Sequence, residues 1–100
     1  MNDAAPHTEH LEMGLSHADF FRIFPRLVAP AEVVRDGLTV GVSPAAGQSI
    51  EVRLSEEKTR RIALLRIVHL DMDLTFRGFS ADERRAFMAR FHRAFQKGGG

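Results

Sequence analysis

The chain has no cysteine, tryptophan or tyrosine among its 100 residues. Without a thiol, disulfides, thiolate nucleophiles, iron–sulfur clusters and cysteine-ligated zinc are excluded. That composition fits a cytoplasmic protein, since disulfides belong to oxidising compartments. No run approaches the ~18–20 apolar residues that a membrane-spanning helix needs, so no membrane partner is expected. Met1–Leu11 lacks a basic segment followed by an apolar one, which argues against a secretory signal. A glycine-rich phosphate loop, a dinucleotide fingerprint and a paired-histidine metalloprotease motif are all missing. No cofactor can be named from the residues.

What is present is the composition of one small globular domain, with 44% apolar residues. A chain of this length buries roughly 60–70% of its unfolded surface, enough for a core without staples. The net charge of +1 is unevenly divided: residues 1–50 hold six acids and three bases, residues 51–100 seven acids and eleven bases. The basic half is the one compositional pointer to an anionic partner.

The strongest local pattern is Val68–Arg77, where every even residue is apolar and every odd one polar. This period of two predicts a strand with one dry and one wet face. After Gly78-Phe79, Ser80 and Glu83 form a capping-box pair, and Phe87, Phe91 and Phe95 recur along a helix. Upstream, Ser16 with Asp19 starts a second helix carrying Phe20, Phe21 and Phe24. Pro25 should end or kink it at Phe24. Asp36-Gly37 between two β-branched segments predicts a hairpin, favoured over a short helix starting at Pro30. Ile50–Leu54 alternates as a further strand.

Residues 55–68 are polar first and apolar second, which favours a polar turn followed by a strand over a helix. Residues 61–77 fully extended would span roughly 55 Å, too long for a compact domain of this size. A break near Arg66–His69 is therefore expected, with a turn at Val68-His69 as one geometry. All eight aromatics are phenylalanine, clustered toward the two ends of the chain. The two helices should therefore pack side by side. The expected fold is α+β: an antiparallel meander of four or five strands with an N-terminal and a C-terminal helix on one sheet face. Residues 1–11 read as a disordered tail, 12–97 as the domain, and 98–100 as a flexible glycine tail.

Three clusters carry residues suited to chemistry. His69, Asp71 and Asp73 share the wet face of one strand and could ligate a metal, with His92 as a further donor. Alternate strand residues lie roughly 6.6 Å apart, so His69 and Asp71 could share an ion more readily than all three. Arg90, Arg93 and Lys97 form a basic strip on the last helix that could bind anions or nucleic acid. The helix dipole explains bases near that end equally well, and no tyrosine or tryptophan is present to stack on bases. His7 and His10, with His17 nearby, have a chelating spacing. Ser16-His17-Ala18-Asp19 holds triad residue types, but adjacency on a helix start does not build triad geometry. The terminal glycines differ from those of ubiquitin-like carriers, which leave a strand rather than a helix. With no converging catalytic set legible, the leading expectation is a small non-catalytic binding or accessory protein. Its partner would be another protein or a second copy of itself.

Overall fold

The computed structural model describes residues 5–99, with side chains described through Gln96. Two helices cover one face of an antiparallel sheet. In chain order the elements are β1 (His7–Met13), α1 (His17–Val28), β2 (Val34–Asp36) and β3 (Thr39–Val42). They are followed by β4 (Ser49–Leu54), β5 (Lys58–Ile62), β6 (Leu65–Arg77) and α2 (Ala81–Gly99). The strand order is β1-β6-β4-β3-β2, with β5 also paired to β6. Thus β2, β3 and β4 run as a meander that β6 continues, β5 follows β4 along the same side of β6, and β1 adds to the far side.

The alternation in β6 is what positions the core. Leu70, Met72, Leu74 and Phe76 are all buried, facing Ile50, Val52 and Leu54 of β4 on the same side. The helices close this surface. The Phe20 ring stacks on Phe24 and on Phe95, at 5.0 and 5.7 Å between centroids. Phe91 touches Phe87 and Phe95, and Phe76 meets Phe87 edge-on. The phenylalanines from the two ends of the chain therefore do meet.

Both helix starts are capped as their residues suggest. Ser16 Oγ accepts the Asp19 N–H at 3.1 Å. Ser80 Oγ accepts the Glu83 N–H at 3.1 Å, while Glu83 accepts the Ser80 N–H at 2.7 Å. Asp19 does not complete a reciprocal box, because its carboxylate takes Arg22 at 2.9 Å instead.

Several expectations are revised. Part of the range read as a tail is β1, which pairs with β6 from His7↔Phe76 to Met13↔Leu70. Only Leu11 and Met13 in it offer apolar area to the core, so its strand character comes from the ladder rather than from its own pattern. Helix α1 runs through Pro25 to Val28. Burial of Ile23, Phe24 and Val28 outweighs the hydrogen bond that proline removes. The β2–β3 turn is Gly37-Leu38, one residue later than Asp36-Gly37, with Gly37 at φ 64°. The backbone of α2 continues through Gly98 and Gly99, and Gly100 lies outside the described residues.

The largest revision concerns residues 55–69. β6 passes through Val68-His69 unbroken, and the turn is Ala63-Leu64, with Ala63 at φ 55°. The compactness argument fails because the β5–β6 hairpin projects from the domain, whose long axis reaches 53 Å against 24 and 23 Å across. β4 and β5 follow the same side of β6, with three residues (55–57) opposite two (70–71). That one-residue bulge marks where the sheet ends and the projecting ribbon begins.

Two substitutions test this packing. Phe91→Ala is expected to destabilise the chain by about 3–5 kcal/mol in urea melts. Gly78 sits at φ 78°, and a Cβ there would collide with the Gly47 carbonyl. Gly78→Ala is therefore expected to cost about 2 kcal/mol or more by the same measurement.

Candidate interaction surface

The odd-numbered side of β6 faces away from the helices, and its polar residues find partners by register. His10 lies opposite Asp73, and its Nδ1 is 2.5 Å from Asp73 Oδ1. Lys58 Nζ donates to Asp71 Oδ2 at 2.6 Å. Thr8 and Thr75 hydroxyls join at 3.0 Å. His69 is mostly covered, and its Nδ1 lies 3.1 Å from Glu12 Oε2. The pair is close but misaligned, so the buried Nδ1 has no hydrogen-bond partner.

His69, Asp71 and Asp73 thus share a face but each turns to a different neighbour. Among the described residues no group of three or more histidines and carboxylates is close enough to hold a metal ion. His92, considered as a further ligand, lies on α2 beside His7 and Glu9, on the opposite side of the sheet from His69. His7 and His10 fall on opposite faces of β1 and do not converge. The triad-like residues are also separate: Ser16 caps α1, Asp19 binds Arg22, and His17 Nε2 contacts the Ser55 carbonyl at 2.8 Å. Glu57 accepts the His17 N–H at 2.7 Å, which ties the bulge to the start of α1.

Of the basic strip, Arg90 donates to the Leu27 carbonyl at 2.9 Å and joins the two helices. Arg93 is exposed, and the side chain of Lys97 lies outside the described residues. Arg90 also borders a hollow of about 480 Å³ between the end of α1, the 43–48 loop and α2. Its other charged group, Glu83, is engaged in capping. The hollow is lined mainly by apolar groups such as Leu27, Phe79 and Phe87, with no set of reactive groups converging on it.

The feature that stands apart is the β5–β6 hairpin. Leu64 at its tip is 100% exposed, with Leu65, Ile62 and Ile67 at 64, 51 and 39%. Lys58, Arg60, Arg61 and Arg66 accompany them, and no acid occurs between residues 58 and 70. Arg61 and Arg66 are directly opposite each other. Like charges so placed destabilise a ribbon, and none of Arg60, Arg61 and Arg66 takes part in an ion pair among the described residues. Sequence reasoning missed this surface because it placed the turn five residues too late. The usable signal was the acid-free basic and apolar run itself.

No family model matches the chain, and neither a curated protein nor a solved structure does. Among the described residues no helix is long and apolar enough to cross a membrane.

The Lys58–Asp71 pair gives a pH signature. Its hydrogen bond and charge attraction hold Asp71 below the ordinary carboxylate value and Lys58 above the ordinary amine value. A lowered carboxyl stabilises above its unfolded pKa and loses that contribution as pH falls through the folded value. A raised amine stabilises below its unfolded pKa and loses it as pH rises through the folded value. The Tm difference between wild type and Asp71→Asn should therefore be flat from about pH 5 to about pH 9 and narrow on both sides. Because the pair is exposed, the difference should be small and should shrink in high salt.

Proposed function

We propose that this chain is a non-catalytic binding protein that works through protein–protein contact, with the β5–β6 hairpin as its contact element. The observation that carries this reading is the run of exposed apolar side chains, Ile62, Leu64, Leu65 and Ile67, on a ribbon that projects beyond the domain. The buried core is complete without them, since it ends at Leu70 and Leu54. Apolar side chains held in solvent away from any core mark an interaction site rather than a packing role. The hairpin's free edges add main-chain groups that a partner can pair with. A cysteine-free chain suits a cytoplasmic setting for that contact.

The test is capture from the native source with wild-type protein and with Leu64→Asp/Ile67→Asp, both first shown to melt alike. A stoichiometric protein retained by wild type and lost by the variant is expected. Ultracentrifugation showing that wild type is a strict monomer, together with no partner in the capture, would contradict the reading. A dimer that the same two substitutions dissociate would instead make a second copy the partner.

A further inference from the structure

The hairpin has one edge whose state is fixed by the ladder. Asp71 directs both backbone groups toward β4 and β5: its carbonyl accepts the Ser55 N–H and its N–H donates to Ser55 Oγ. In an antiparallel strand these directions alternate. Even-numbered residues of β6 therefore point to the other side, where β1 covers positions 70–76 and ends at Met13. Arg66 and Val68 point the same way, past the end of β1, and no described strand pairs with them there. Their N–H and C=O groups form an open continuation of the slot that β1 fills.

Basic side chains flank this edge on both faces, while the exposed Ile62, Leu65 and Ile67 are gathered on one of them. Arg66 shares a face with Arg61, the like-charged pair described above. Ile67 shares the other face with Leu65, Ile62 and Arg60. Where β1 stops, a notch of about 240 Å³ is bordered by the apolar Met13, Ile62 and Ile67 and rimmed by Glu12, Arg60 and His69. His69 contributes the buried Nδ1 that lacks a hydrogen-bond partner.

Resting on the protein-contact reading above, we infer that the partner supplies an extended segment alternating acidic and apolar residues, which adds as a strand to the β6 edge at Arg66 and Val68. Its acids fall on the Arg61–Arg66 face and relieve a repulsion that the free hairpin bears. Its apolar residues fall on the Ile67 face and in the notch. Main-chain bonds supply affinity and the alternating side chains supply selectivity. A second copy is disfavoured as occupant because it would bring the same uncompensated bases to the edge. An anionic bilayer would leave the Arg66 and Val68 backbone groups without partners in the apolar phase.

The test uses the full chain and a displayed library of random twelve-residue peptides. Wild type is expected to enrich peptides that alternate acidic and apolar residues. Arg66→Glu should weaken the selected peptides at least tenfold. Val68→Pro should do the same, because it removes an N–H that only the added strand uses. If Val68→Pro alters the melt, the double variant Arg61→Glu/Arg66→Glu decides in its place, since it should enrich basic peptides from the same library. Enrichment of neutral or basic peptides by wild type, or binding unchanged in Arg66→Glu, would overturn the inference. So would Arg66-dependent binding to phosphatidylserine vesicles or random duplex DNA with no peptide enriched. A native partner that Leu64→Asp/Ile67→Asp releases but Arg66→Glu and a folded Val68→Pro retain would defeat strand addition alone. The absence of any native partner would defeat the reading beneath it.

Discussion

Everything in this fold is placed by one dry stripe: Leu70, Met72, Leu74 and Phe76 on the buried side of β6. β1 and β4 both pair with this half of the strand, and the buried phenylalanines of both helices join it in one core cluster. A slip of one residue would bury Asp71, Asp73 and Thr75 instead, so the register has no close competitor. The same stripe sets the limit of the domain. Upstream of Leu70 the strand continues, but the core, β1 and β4 do not. The bulge at 55–57, whose Ser55 carbonyl and Glu57 carboxylate both meet His17 at the start of α1, is where support ends.

That division separates two kinds of surface. The polar face over 71–75 is satisfied locally, each group meeting a cross-strand neighbour at hydrogen-bond distance. The ribbon over 58–69 is not: it exposes leucines and isoleucines and opposes two arginines. Local conflicts of this kind, in a chain otherwise consistent from capping to core, are where function is to be sought. Stability should fall across the same boundary, since amides beyond Leu70 are held by two strands and no core.

What could be read from the sequence was what depends on near neighbours. The alternation of 68–77, the Ser80–Glu83 box and the Phe87–Phe91–Phe95 stripe each declare themselves within one element. β1 did not, because its pairing is offered by β6 some sixty residues away. Pro25 misled because helix α1 is kept by the burial of Phe24 and Val28, which no local rule sees. The wet-face residues His69, Asp71 and Asp73 were visible as a set, but the neighbours they turn to, Glu12 and Lys58 on the diagonal and His10 directly opposite Asp73, are set by pairing with strands distant in sequence. The Ala63-Leu64 turn has no glycine, proline, asparagine or aspartate to mark it, and the Arg61–Arg66 juxtaposition follows only from that turn.

The account turns on β6 leaving the sheet at Leu70 with an open edge beyond it. Amide hydrogen exchange of the free, monomeric chain measures this residue by residue. Leu70, Met72 and Leu74 should exchange only through global or near-global opening, while Arg66 and Val68, pointing the same way along the same strand, should exchange close to their unprotected rates. Protection at Arg66 and Val68 equal to that at Leu70 would mean the edge is already filled within the chain, and the contact surface described here would not exist.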